Sequence, residues 1–449
     1  LQTQTIKKRK MMKKLLILTA MVSLSICVRA GGLMTNTNYH IAFDRMMARG
    51  ATFDIDAAYS NPAGLAWGHE GWQLSLNFQK PWQDRDIETT IPGFMGDFNH
   101  KFNGKASAPI VPALFASWKK DRIAVSAMIG IVGSGGFVEY KEGVPMFNVP
   151  IMALLAQSGV TPDMYTLDSQ MKGKQYIYGG QLNFTYKITD YLAAAVGFRA
   201  NYYDGYYRGH VVADMNGTKL INLQLDCNQR GWGFAPIISL NYHQGPITVA
   251  GRYEFRTKIN VPNDTKELTA EIAGMTPEQT AAVLGNKVAA YQDGVKTRYD
   301  MPALLALAVG IDFSSKLRGT LEYHFFDDKH AKMAGDRQET LKRGTHEFLA
   351  GVEYDINEKF TVSCGAQRTD YGLSDDYQQN TSFACDSWSI GLGGAWNINE
   401  KIRLNAGYFI SLYSDYEKNQ SQYMGLPMAG KDVYSRTNNV IGIGIDYKF

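Results

Sequence analysis

From residue 71 to its last residue the chain places large apolar side chains on every second position, and few architectures tolerate that. In the closing run Ile441, Ile443, Ile445, Tyr447 and Phe449 take one face, and Gly442, Gly444, Asp446 and Lys448 the other. After Pro302, the residues Ala303, Leu305, Leu307, Val309, Ile311 and Phe313 alternate with Leu304, Ala306, Ala308, Gly310 and Asp312. Trp388, Ile390, Leu392, Trp396 and Ile398 do the same against Ser387, Ser389, Gly391, Gly393, Ala395 and Asn397. A period of two with one continuously apolar face describes a strand lying between oil and a more polar medium. The large residues face outward and the small ones inward.

The punctuation between these runs is uneven. Short polar turns stand at 119–122, 189–190, 243–246, 314–316, 357–359 and 399–401. Longer connections are expected at about 141–174, 209–229, 260–297, 327–342, 369–383 and 414–435. Short turns on one side and long loops on the other mark a transmembrane β-barrel. Strands are predicted near 72–82, 108–118, 123–132, 175–188, 191–207, 231–242, 247–259, 299–313, 317–326, 343–356, 359–368, 384–398, 402–413 and 437–449. That makes fourteen, an even number as such barrels require. Closure is demanded by the solvent, because a bilayer cannot satisfy a free strand edge. The predicted fold is therefore all-β, a 14-stranded antiparallel barrel over residues 71–449.

Composition agrees with strands. Aromatic residues make up 12% of the chain, with 26 Tyr and 44 Gly, which favours sheet and tight turns over helix. A mean hydropathy of −0.25 excludes a polytopic helical membrane protein. Met11-Met12-Lys13-Lys14, an apolar run over 15–28, and Arg29-Ala30 read as a secretory signal peptide cleaved after Ala30, with residues 1–10 upstream of the true start. Residues 1–30 carry seven of the 46 basic residues and no acid, so the remainder has 39 basic against 43 acidic residues, a net charge of −4. Nothing there suggests nucleic acid. Cys227, Cys364 and Cys385 remain beyond the leader; an odd number without a CxxC pair argues against a disulfide framework or a zinc site. A bridge between Cys364 and Cys385, on consecutive predicted strands, is conceivable, although Cys364 falls on the outward row.

Residues 31–70 lack the strand pattern yet hold Leu33, Met34, Tyr39, Ile41, Phe43, Met46, Met47, Phe53 and Ile55. That is too much apolar surface for a solvated tail and too irregular for a separate core, so burial inside the barrel is expected. The segment closes on Asn61-Pro62-Ala63-Gly64-Leu65-Ala66, a corner in which Asn-Pro biases the chain into a turn and Gly64 supplies a joint. This string, behind an exported N-terminus and just before the first strand, resembles the FadL/TodX family of outer-membrane transport proteins for long-chain fatty acids and other hydrophobic compounds. The resemblance spans the whole mature chain. It implies a hatch (31–70) that plugs the barrel, and passive uptake. Phe449 behind Tyr447 resembles the terminal aromatic signal through which such barrels meet the barrel assembly machinery.

Three further features bear on transport. In the third predicted strand Gly133-Ser134-Gly135-Gly136 interrupts a clean alternation before Phe137; such glycines favour a bulge or kink, or else end the strand. In FadL-type proteins a kink in this strand opens a side window toward the membrane. Two external loops are apolar, one with Ile151, Leu154 and Leu155 and the other over 272–295 with Met275, Val283, Leu284 and Val288. Short helices there would form a hydrophobic landing groove or pack on one another. Parity places Arg199, Arg252, Arg256 and Lys258 inward, as partners for a ligand carboxylate or as an internal salt-bridge ladder with Glu254. Where family members place a ligand-contacting basic residue in the fifth strand, this chain has Asp204, which leaves headgroup specificity open.

Enzyme signatures are absent from the sequence. No Gly-x-Ser-x-Gly elbow and no phosphate-binding glycine pattern occurs, and His324 with Glu322 lacks a neighbouring nucleophile. No cofactor or metal is expected. The sequence therefore points to a multi-pass outer-membrane barrel of a Gram-negative cell, with hydrophobic small molecules and outer-membrane lipid as partners. A general porin and a surface adhesin or receptor are the alternatives.

Overall fold

The computed structural model describes residues 39–284 and 289–449. The expected leader (1–30) and the first eight hatch residues lie outside them. Fourteen antiparallel strands form the wall, several of them interrupted. In chain order they are β1 (Gly71–Ile91), β2 (Phe98–Ser107 and Val111–Lys120), β3 (Ile123–Tyr140), β4 (Thr166–Lys187), β5 (Leu192–Met215), β6 (Thr218–Gln244) and β7 (Ile247–Glu254 and Asn260–Ile272). The second half comprises β8 (Lys296–Arg298 and Leu304–Asp312), β9 (Leu317–Phe326), β10 (Thr345–Asp355), β11 (Phe360–Asp370), β12 (Ser387–Asn397), β13 (Ile402–Tyr413 and Tyr416–Gln420) and β14 (Gly430–Lys448). The ring closes where β1 pairs with β14, from Gln73↔Lys448 to Thr90↔Lys431.

The outer surface identifies its solvent. Every strand contributes at least one exposed large apolar side chain, among them Leu182 at 65% and Leu321 at 66% exposure. A belt of that extent has no place in water. Aromatic side chains border it at both ends of single strands: Trp72 and Trp82 on β1, Trp232 and Tyr242 on β6, Trp388 and Trp396 on β12, all exposed. Their spacing of eight to ten residues is close to the ~9–11 residues a tilted strand needs to cross a bilayer. These are the interfacial girdles of a membrane barrel.

The wall is taller than the sequence reading expected. The connection expected at 209–229 is instead the continuation of β5 and β6, joined by the two-residue turn Asn216-Gly217 with φ of +54° and +82°. Likewise 260–272 and 416–420 are strand. The period-two signal vanishes there because the outer row leaves the lipid: above Trp232 it carries Arg230, Asn228 and Asp226 opposite Asp204, Tyr206 and Arg208. Asp204 accordingly lies on the outer row, bonded to Lys174 (2.5 Å) and Arg230 (3.3 Å).

Inside, the N-terminal segment lies against the wall as expected of a hatch. Helix α1 (Ile41–Arg45) starts at His40, whose Nδ1 accepts from Ala42 N (3.1 Å). It rests on inward glycines of β12 to β14. A Cβ at Gly391 would stand 2.5 Å from the Asp44 carbonyl oxygen, and one at Gly407 2.9 Å from Asp44 Cβ. Small inward residues thus mark where hatch backbone touches wall backbone. The described cysteines are free: Cys364 is exposed on the outer wall and Cys385 is buried, so the conceivable bridge between them is not formed.

Candidate functional site

The corner motif is pinned by the wall. Helix α2 (Ala57–Ser60) runs into a 3-10 turn, Pro62–Trp67. Asn61 Nδ2 donates to Asn241 Oδ1 (2.7 Å), Ala63 N to Ser239 Oγ (3.0 Å), and Thr185 Oγ1 to the Pro62 carbonyl (2.8 Å). Gly64 is obligatory for space, because a Cβ there would run into the Thr52 carbonyl oxygen. The motif is a docking corner.

Arg199 and Arg252 belong to the same dock. Arg199 is buried and paired with Glu254, and its Nε also donates to Gln181 Oε1 (2.9 Å). Arg252 donates to the Tyr59 carbonyl, and the two guanidiniums lie over the Tyr59 ring at 4.9 and 5.3 Å. Of the two roles open to these arginines, the geometry is that of the ladder between barrel and hatch. The other two candidates lie elsewhere. Between Glu254 and Asn260 strand β7 is broken, and the inner row passes to Thr257 and Ile259. Lys258 is therefore exposed rather than inward, and Arg256 is half-buried, bonded to the His330 carbonyl and 3.8 Å from Asp300. Parity carried across a break in the strand gave the wrong face.

A second charge cluster locks the start of the hatch. Arg45 pairs with Glu353, which Arg318 also reaches at 2.5 Å; Arg318 in turn binds Asp355 at 2.8 Å. Arg49 binds Asp56 (2.8 Å) and Asp54 (3.0 Å). His324 bridges Glu322 (2.7 Å) and Glu347 (2.9 Å), while Glu322 accepts from Gly50 N (2.8 Å). The Glu322–His324 pair is thus a structural link to the hatch.

The glycine stretch lies within β3, which continues to Tyr140. Against β4 the register slips twice, between Ile131 and Gly133 and between Ser134 and Gly136. Against β2 the ladder stops at Ala113↔Gly130 and resumes at Ser107↔Phe137. Residues 131–136 therefore face residues 108–112 without a ladder, and Gly136 has φ +70°. This is an interruption inside a strand, not its end.

An apolar lining reaches that interruption from inside. Ala108, Val111, Ile131 and Val132 form one buried cluster with Tyr39, Ile55 and Tyr59 of the hatch and with Tyr203 and Tyr299. A second cluster lies toward the external loops and includes Phe102, Val138, Tyr140, Met146, Met171, Tyr207 and Tyr291. Tyrosines join the two: Tyr203 stacks on Tyr299 at 5.0 Å, the Tyr207 and Tyr299 hydroxyls meet at 2.6 Å, and Tyr207 packs edge-on to Tyr291 at 5.9 Å. Tyr203 and Tyr207 were legible as inward residues of a predicted strand. Of their partners, Tyr299 opens the strand predicted at 299–313, whereas Tyr291 comes from the connection expected at 260–297, where no periodicity pointed to it.

The external loops contain the two expected helices, α3 (Pro145–Gln157) and α4 (Pro277–Leu284). Ile151 and Leu155 are buried and, with Leu154, pack on Val211, Ala213 and Ile221 of the tall hairpin. Beside them opens an apolar cavity of ≈ 120 Å³ between Phe147, Met171, Leu223, Leu225, Leu268 and Leu284. Helix α3 contributes Phe147 to the cavity and spends Ile151 and Leu155 on packing against the hairpin. Opposite, the 327–342 connection folds inward. Ala334 joins the inner cluster, and burial pushes the Asp328 carboxyl up to about 7 even though it accepts from Thr345 N (3.3 Å).

No family model and no curated protein matches the sequence. Solved structures do match. A FadL homologue of Pseudomonas aeruginosa superposes with a TM-score of 0.68 at 13% identity, over 94% of this chain and 100% of that one. The toluene transporter TodX of P. putida gives 0.56 at 12% identity, over 89% and 95%. The monoaromatic hydrocarbon channel CymD gives 0.55 at 12% identity, over 94% and 98%. What the chain shares with them at such identities is the fold.

Proposed function

We propose, on the premise of a fold shared with a FadL homologue and with hydrocarbon channels, that this protein takes up hydrophobic compounds passively across the bacterial outer membrane. The observation that carries the reading is the meeting of a buried apolar lining with residues 131–136, the stretch of β3 that lacks a ladder to β2. Ligand gathers in the external cavity at Phe147 and Leu268, passes the tyrosine junction and leaves sideways through that stretch. Burying an alkyl chain is worth about 0.8 kcal/mol per CH₂, so an apolar path holds such cargo without an energy source. Release would then involve movement of the N-terminal segment near residues 31–33, which lie outside the described residues. In this reading the apolar lining suits the chemistry of long-chain fatty acids and of smaller hydrocarbons alike.

Leu268→Asp tests the entry step. A carboxylate in the cavity wall has to be desolvated by any alkyl chain that docks there. Uptake of tritiated oleate by expressing cells is expected to fall about tenfold at limiting concentration, the equivalent of ~1.4 kcal/mol, and to recover at saturation. Unchanged uptake at limiting concentration would remove the cavity from the route.

A further inference from the structure

Two arginines occupy directly opposed inner positions on the first and last strands. Arg85 of β1 is the cross-strand partner of Arg436 of β14. Both lie on the row that faces the lumen, Arg85 two places from buried Ile87 and Arg436 two from buried Tyr434. Like charges directly opposite each other destabilise a sheet, and no carboxylate offsets Arg436. Among the described residues it forms no ion pair, and its Nε is buried without a hydrogen-bond partner. Gln83 Oε1 accepts from Arg85 Nε (3.2 Å) and Nη2 (3.0 Å) and stands 3.5 Å from Arg436 Nη2. One neutral oxygen thus stands between two guanidiniums.

Among the described residues, the remaining groups packed beside Arg436 are uncharged at neutral pH. Arg436 lies over the Tyr413 ring at 4.7 Å, with Tyr371, Tyr140 and Cys385 beside it. Nearby acids are engaged elsewhere: Asp86 pairs with Lys101 (2.9 Å), Asp432 accepts from Thr89, Tyr423 and Asn380, and Asp386 from Tyr371 N. Arg85 also pairs with Gly104, three residues to the external side of Ser107, where the β2–β3 ladder is interrupted. Tyr140, Cys385 and Tyr434 belong at the same time to the outer apolar cluster.

We infer that Arg85 and Arg436 form a binding site for the anionic headgroup of an amphiphile, a carboxylate, sulfate or phosphate, whose tail lies along the outer cluster beside Ile87, Val138 and Phe383. A guanidinium receives such an oxyanion through two parallel N–H···O bonds, and two opposed guanidiniums supply donors on both sides of it. This rests on the transport reading only in that an amphiphile must reach the lumen.

Scintillation-proximity binding of tritiated laurate and tritiated dodecanol to the purified full-length barrel tests it. Laurate is expected to bind at least about tenfold more tightly than dodecanol, the scale of one charge-assisted hydrogen bond, with dodecyl sulfate competing like laurate. Arg436→Gln and, independently, Arg85→Gln are expected to bring the laurate-to-dodecanol ratio to within about twofold of unity, whereas Arg436→Lys keeps part of it. Equal binding of the two ligands to the unaltered protein, or a ratio that survives both glutamine variants, overturns the anion site and leaves the transport reading standing. Failure of both ligands to bind overturns the transport reading as well. A variant that does not fold, recognised by loss of its heat-modifiable electrophoretic shift, leaves the decision to the unaltered protein and the other variant.

Discussion

Deleting Val132 and Gly135 is expected to cut uptake of a hydrophobic probe at least about tenfold while leaving the barrel folded. The two register slips against β4 leave these residues as the extra ones: Ile131 pairs with Tyr178 and Gly133 with Ile177, then Ser134 with Tyr176 and Gly136 with Gln175. A β-bulge holds one residue more than its partner strand and bends the chain at that point. Removing both bulged residues restores a continuous ladder with β4. Because the deleted residues are the ones without a partner in the register, every later residue keeps its β4 partner and therefore its face. On the β2 side, four residues of β3 would then face residues 108–112, few enough to pair with a single bulge. The straightened wall lacks the stretch through which cargo is proposed to leave. Uptake of tritiated oleate by expressing cells reads the result, with heat-modifiable electrophoresis reporting the fold. Full uptake through a straightened β3 would mean that ligand leaves by another way.

Glu353→Gln is expected to cost about 3–5 kcal/mol, the penalty for stripping a buried charge of its partner. Glu353 is 1% exposed and is shared by Arg45 and Arg318, with Arg403 at 4.0 Å. Arg318 keeps Asp355. Arg45, itself 1% exposed, keeps among the described residues a hydrogen bond to Ser363 Oγ (2.8 Å) and no other carboxylate partner. Because Arg45 sits at the end of α1, the loss falls on the attachment of the hatch rather than on the wall, whose ladder hydrogen bonds are untouched. Two readouts follow: a lower denaturant midpoint, and transient ion-conducting openings in planar bilayers. The double variant Arg45→Met with Glu353→Met is expected to recover most of the stability, because replacing a whole buried ion pair with apolar side chains is close to neutral. Equal losses in the single and double variants would show that the pair does not hold the hatch.

The wall was legible in the sequence because the bilayer imposes a period of two on every strand that crosses it. All fourteen strands lie where alternation placed them. Legibility ended where the lipid ends. Above Trp232 the outer row turns polar, so the tall ends of β5, β6 and β7 read as loops. Breaks within strands misled in another way: parity counted through 255–259 put Lys258 on the inner row. The hatch was legible as surplus apolar residues, and the glycines of β12 to β14 as small inward positions, although nothing in either revealed that they touch. Arg85 and Arg436 lie 351 positions apart and become neighbours only when the barrel closes. Sequence spacing carries no trace of such a pair.

The proposed transport requires that the barrel admit oily molecules while its own N-terminal segment stoppers the bore. It is tested most directly by comparing two fluxes into proteoliposomes, that of a fluorescent long-chain fatty acid and that of a small sugar such as arabinose. Faster entry of the fatty acid than in protein-free liposomes, with no arabinose-driven swelling, is the expected result. Rapid swelling in arabinose, with no acceleration of the fatty acid, would make the protein an open aqueous pore and contradict the claim.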